Sequence, residues 1–109
     1  MDTLKKLKKN GVNLEYSDIV MLCRKYHITK LSIFGSAIRD DFKVSSDIDI
    51  LVKYENYIDK NQLYDFIYIR DDFKKILKRN VDVVDIDELT NPIRRKRILS
   101  TAEVIYVDQ

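Results

Sequence analysis

The chain is poor in the residues that interrupt or cross-link a fold. Its 109 residues include two glycines, one proline, one cysteine and no tryptophan. A single cysteine cannot close an internal disulfide, so the chain suits a reducing compartment and we expect it in the cytoplasm. No apolar run is long enough to span a membrane, and the basic first ten residues are not followed by the apolar stretch of a secretory signal.

The chain also lacks a large excess of positive or negative charge. Twenty basic and eighteen acidic residues leave a net charge of +2, which is too small for the single-sign field of a dedicated nucleic-acid-binding protein. Four consecutive cations at residues 94–97 would point in different directions from a helix. A solvated face with a partner contact is therefore the favoured interpretation, and direct nucleic-acid binding is not expected.

The pattern of apolar residues predicts one α/β domain. Residues 13–109 are expected to form it, preceded by a basic N-terminal arm at residues 1–12 that is a frayed helical turn or a mobile segment. Apolar spacing predicts a helix, two strands, a helix, a strand, a helix and a strand, at residues 13–26, 30–34, 47–54, 59–78, 81–86, 91–99 and 104–107. Strands that alternate with helices favour a sheet covered by helices.

Two aspartates stand at the start of the second predicted strand. Residues i and i+2 of a strand point to the same side, so Asp47 and Asp49 project together. Two carboxylates side by side repel each other, and a divalent cation such as Mg²⁺ would remove the repulsion. An Asp-x-Asp pair taken alone is more often just two solvated residues at a strand end. The residues that precede the pair decide between these interpretations.

Those residues have the character of a phosphate-binding turn. Gly35 and Ser36 follow a predicted strand and begin a short helical turn, where backbone N–H groups bind anions and a glycine allows close approach. Ser36 adds a hydroxyl, and Arg39 adds a guanidinium that suits phosphate oxygens. A phosphate-binding turn joined by one loop to a carboxylate pair indicates a site for a metal and a nucleotide.

The order of these groups resembles a known signature. A Gly-Ser pair, ten residues and then Asp-x-Asp is typical of the DNA polymerase β nucleotidyltransferase superfamily, and residues 46–52 look most like its minimal nucleotidyltransferase (MNT) branch. The sequence Val81-Asp82-Val83-Val84 is similar to the setting of that branch's third carboxylate. The resemblance covers residues 30–107. It implies a polymerase β palm-like α/β fold with a mixed sheet of about four strands flanked by helices.

The resemblance also implies an activity. Two Mg²⁺ ions would be held by three carboxylates that are also the catalytic residues, namely Asp47, Asp49 and Asp82. The nucleotide would be bound by Gly35, Ser36, Arg39 and Ser46. A nucleoside monophosphate, AMP from ATP above all, would pass to a hydroxyl group.

The implied partner is a separately encoded helical HEPN protein, a toxin whose tyrosine accepts AMP and whose antitoxin is this chain. Self-association is left open. One departure from the branch is Asp40-Asp41, where a glycine usually follows the arginine, and these two charges favour an alternative. In that alternative the chain is a catalytically idle antitoxin that neutralises its partner by binding it.

Overall fold

The computed structural model describes residues 2–43, 45–55 and 65–108. The helices are α1 (Asp2–Lys9), α2 (Tyr16–Lys25), α3 (Asp65–Leu77) and α4 (Pro92–Thr101), and the strands are β1 (Ile28–Phe34), β2 (Ile48–Tyr54), β3 (Val81–Asp85) and β4 (Glu103–Val107). Two 3₁₀ turns, Gly35–Ile38 and Ile86–Glu88, follow β1 and β3. Each predicted helix and strand is present with shifted ends, and positions 59–64 of the predicted helix at residues 59–78 lie outside the described residues. No helix in these ranges has the length and apolar character needed to cross a membrane.

The four strands form one mixed sheet in the order β3-β2-β1-β4. Strand β1 runs antiparallel to β2 and to β4, whereas β2 and β3 are parallel. Because β2 has a neighbour on each side and is covered on both faces, its residues from Ile50 to Val52 are continuously buried. The predicted mixed sheet of about four strands flanked by helices is confirmed.

The two faces of the sheet pack against different helices. The larger core holds Ile33 and Ile50 together with buried residues of α1, α2 and α3. A smaller cluster on the other face contains Leu51 of β2 and Ile98 of α4. Side chains alternate along a strand, so Asp49 lies on the same face as Leu51. The carboxylates of interest therefore lie on the face that α4 covers in part.

The N-terminal segment is not the frayed turn or mobile arm that the sequence suggested. Residues Asp2–Lys9 form α1, whose Leu7 is 0% exposed and belongs to the larger core. Lys6 also forms an ion pair with Glu103 of β4 at 3.0 Å. The physical reason is the spacing of Leu4 and Leu7, which gives this short basic helix an apolar side to bury.

Candidate active site

Asp49 and Asp82 lie side by side in the sheet. They are direct partners in the parallel register of β2 and β3. Asp49 is half-buried and Asp82 is exposed. Burial raises the pKa of the Asp49 carboxyl, and the neighbouring charges of Asp82 and Asp47 raise it further. The folded chain thus holds a carboxylate where negative charge is disfavoured, and a bound cation would relieve this.

Asp47 lies one residue before β2 and is exposed. The negative charge of Asp47, like that of Asp82, raises the pKa of the Asp49 carboxyl. Within residues 2–43, 45–55 and 65–108, no three His, Cys, Asp or Glu side chains are already arranged as a metal site. The structure thus brings Asp49 and Asp82 together with Asp47 near them, and the set of three metal ligands stays a prediction. Solvent-accessible carboxylate oxygens are donors that fit Mg²⁺.

Gly35 joins the predicted phosphate-binding turn to this pair. It follows Phe34, the residue that pairs with Asp49 across the sheet. Its φ of +77° is one that residues with a side chain rarely adopt. A Cβ added to Gly35 would overlap Oδ2 of Asp49 and lie 3.3 Å from its Cγ. The backbone can lie this close to the carboxylate only because the residue is glycine.

The helical turn predicted after β1 is present as the 3₁₀ turn Gly35–Ile38. The first N–H groups of such a turn have no partner inside it and are directed outwards. Ser36 is half-buried within this turn and Ala37 is fully buried. The turn therefore presents backbone donors and the Ser36 hydroxyl beside Asp49, and this arrangement suits the phosphates of a nucleotide.

Arg39 is already engaged by a neighbour. Its Nε donates to Oδ1 of Asp41 at 3.0 Å and its Nη2 to Oδ2 at 3.4 Å. This guanidinium holds the pKa of the Asp41 carboxyl below its usual range. Asp41 therefore occupies guanidinium N–H groups of Arg39 that the sequence predicts to bind phosphate.

The loop between the turn and β2 is held by Ser46 and Arg79. The Ser46 hydroxyl accepts a hydrogen bond from the Lys43 N–H at 3.1 Å, which leaves its own proton free to donate to a ligand. Nη1 of Arg79 donates to the carbonyl oxygens of Lys43 and Ser46, each at 3.4 Å. The Arg79 guanidinium also lies 4.7 Å from the centre of the Phe42 ring.

Sequence reasoning missed two side chains that hold this region, Arg79 and Asn10. Asn10, at the end of α1, donates from Nδ2 to the carbonyl oxygens of Ala37 and Arg39. Both residues are far along the chain from the loop that they contact, and neither is part of a recognisable motif. The only signal was indirect, since a loop beside a phosphate-binding turn has to be supported from some other element.

The basic run at residues 94–97 lies on α4. Arg95 donates from Nη1 to the carbonyl oxygen of Ile86 at 2.7 Å and so attaches the helix to the turn after β3. The other three cations are exposed. Asn91 caps this helix by accepting from the N–H groups of Ile93 and Arg94, and Pro92 is its first residue.

The sequence has known relatives. Residues 17–109 match the family described as Polymerase beta, Nucleotidyltransferase. The chain is 33% identical over 86 residues to protein adenylyltransferase MntA of Thermococcus cleftensis, covering 79% of this chain and 81% of that protein.

Solved structures agree in fold. A chain of a toxin–antitoxin complex with AMP-PNP superimposes with a TM-score of 0.67 at 20% identity, covering 88% of this chain and 76% of that one. A chain of a complex between a tri-AMPylated HEPN toxin of Shewanella oneidensis and its MNT antitoxin gives a TM-score of 0.59 at 19% identity, covering 94% and 74%. The chain therefore belongs to the polymerase beta nucleotidyltransferase family, and the predictions of the minimal nucleotidyltransferase fold and of an enzyme similar to protein adenylyltransferases are confirmed.

Proposed function

We propose that the chain transfers AMP from ATP to a hydroxyl acceptor in a reaction that requires two Mg²⁺ ions. One observation carries this proposal: the Gly35 backbone lies directly against the Asp49 carboxylate, and Asp82 is the register partner of Asp49. The turn that suits phosphate therefore lies directly beside the carboxylates that suit a hard cation. The name of the Thermococcus relative, a protein adenylyltransferase, supports the same reaction.

Each side chain has a distinct role in this proposal. The N–H groups of the turn and the Ser36 hydroxyl bind the terminal phosphates, with Arg39 and Ser46 assisting. Asp49 and Asp82 would hold the metal, and Asp47 would complete the ligand set. Mg²⁺ held there would supply the positive charge that lowers the pKa of an attacking hydroxyl and offsets negative charge on a departing pyrophosphate. Asp82 is the more exposed carboxylate of the pair, so it is the one that an incoming hydroxyl meets.

The proposed acceptor is a tyrosine of a helical HEPN toxin, with this chain as the antitoxin. Asp47 and Asp82 are exposed, so the hydroxyl of a large protein can reach the carboxylates without passing through a channel. The Shewanella complex, in which a HEPN toxin carries three AMP groups beside its MNT antitoxin, supports this choice. A reducing cytoplasm is the proposed setting because the only cysteine, Cys23, is unpaired.

Label transfer from ATP labelled at the α-phosphate tests the proposal. With Mg²⁺ and a HEPN partner, we expect the wild-type chain to place label on the partner. The Asp47→Asn/Asp49→Asn double variant should place none, yet it should still form the complex, because the substitutions remove charges and preserve shape. If wild type and the double variant protect equally against the toxin and neither transfers label, then the chain acts by binding alone.

The contact between Arg39 and Asp41 makes a separate prediction. Asp41→Asn frees the guanidinium for phosphate, so we expect affinity for AMP-PNP to rise about two- to fivefold, the range for an exposed ion pair. Asp40→Asn removes the same charge one residue earlier and serves as the matched control. Calorimetric titration of both variants measures the effect. An equal gain from Asp40→Asn would show that general charge, rather than competition for Arg39, sets the affinity.

A further inference from the structure

The side chain of Asn10 connects α1 to the turn that follows β1. Its Nδ2 donates to the carbonyl oxygen of Ala37 at 2.8 Å and to that of Arg39 at 3.0 Å. Both partners are carbonyl oxygens, which only accept, so the amide nitrogen and not the amide oxygen faces them. One side chain thus fixes two peptide groups at the end of the turn.

These bonds hold the backbone of Arg39 from both sides. Its N–H donates to the carbonyl oxygen of Ser36 at 3.0 Å, which closes the turn, while its carbonyl accepts from Asn10. A peptide group is planar, so fixing the carbonyl of Ala37 also fixes the N–H of Ile38 on the opposite side. Asn10 therefore fixes the end of the turn directly, and the short turn Gly35–Ile38 that carries the first N–H groups is closed against this fixed end.

Asn10 is itself firmly anchored. Its backbone N–H donates to the carbonyl oxygens of Lys6 and Leu7 at 3.1 and 3.0 Å, and Gly11, with φ +81°, ends the helix. Leu7 and Val12 on either side are 0% and 2% exposed and belong to the larger core. The backbone of Asn10 is thus held by α1 and the core, and its side-chain amide holds the turn in a fixed position relative to them.

We propose that Asn10 is a positioning residue that sets the phosphate-binding turn in its binding geometry before the nucleotide arrives. The inference rests on the proposed function of that turn. Helix α1 lies before residues 17–109, the segment that matches the family. The support is therefore contributed by a part of this chain that the family match does not cover.

Two variants and one control test this role. Asn10→Ala removes both hydrogen bonds, and Asn10→Asp keeps the shape but directs a carboxylate at two carbonyl oxygens. We expect each to weaken AMP-PNP binding roughly tenfold, the effect of losing two hydrogen bonds of ordinary strength. Asn13→Ala removes the same amide from an exposed position and should leave binding unchanged. Calorimetric titration gives the affinities.

Hydrogen exchange in the nucleotide-free protein gives a readout that does not depend on the proposed function. In both Asn10 variants we expect the Arg39 amide to exchange faster, while amides of β1 and β2 keep their protection. Unchanged affinity in Asn10→Ala, beside a wild type that binds AMP-PNP, would overturn the proposal, and so would unchanged exchange at Arg39. If wild type binds no nucleotide, the proposed function fails, and the Arg39 exchange rate alone then decides whether Asn10 holds the turn.

Discussion

Replacing Asp49 with asparagine is expected to reduce AMP transfer strongly and, in EDTA, to make the protein more stable. Burial and the charges of Asp82 and Asp47 disfavour the charged carboxylate and raise its pKa, whereas asparagine has the same shape and no charge. Transfer should fall by roughly 100-fold or more, because the residue proposed to hold the metal is lost. Opposite effects on stability and activity are typical of residues that serve a reaction.

Thermal unfolding with and without Mg²⁺ measures both parts of this expectation. A ligand that binds only the folded state raises the unfolding midpoint, so Mg²⁺ should stabilise wild type and leave Asp49→Asn unchanged. Asp87→Asn is the matched control, since it removes one exposed carboxylate outside the pair and should keep both activity and the Mg²⁺ response. Two results would contradict the assignment: an Asp49→Asn protein less stable than wild type in EDTA, or a wild type that Mg²⁺ does not stabilise.

Much of the fold is predictable because it follows from local patterns. The unbroken apolar run in β2 is typical of a strand covered on both faces, and its residues from Ile50 to Val52 are buried. Asn followed by Pro is typical of a helix start, and Asn91 accepts from two N–H groups there. The adjacency of Asp49 and Asp82 is of another kind, because they are far apart in sequence and meet only when β2 and β3 pair in parallel. Resemblance to a family supplied that pairing, and periodicity could not.

The features that could not be predicted from the sequence depend on contacts between elements that are distant along the chain. The apolar spacing in α1 was too short to distinguish a packed helix from a frayed one, and the burial of Leu7 decides the matter. The sequence shows two negative charges, Asp40 and Asp41, after Arg39, but only the folded structure shows that Asp41 is the one that pairs with Arg39. Asn10 had no local signal, since its partners are two carbonyl groups of another segment.

Gly35→Ala is expected to inactivate the enzyme and to destabilise it more than Gly11→Ala does. Both glycines have a positive φ, +77° and +81°, so both substitutions share a backbone cost of roughly 1–2 kcal/mol. Only at Gly35 does the new Cβ meet another group, because it overlaps Oδ2 of Asp49, whereas nothing lies within 4 Å of a Cβ at Gly11. The turn or the carboxylate has to move to remove this overlap. A misplacement of about 1 Å in an active site can lower the rate about 100-fold.

A double-mutant cycle separates the overlap from the backbone cost. Asp49→Ala removes the carboxylate and keeps Cβ, which lies 3.6 Å from the position of a Cβ on Gly35, an ordinary van der Waals distance. In that background, Gly35→Ala should lower the free energy of unfolding only as much as Gly11→Ala does. Denaturant unfolding of the single and double variants measures this coupling. If Gly35→Ala costs the same with and without the Asp49 carboxylate, then the turn and the acid pair are not in contact, and the proposed site loses the observation on which it rests.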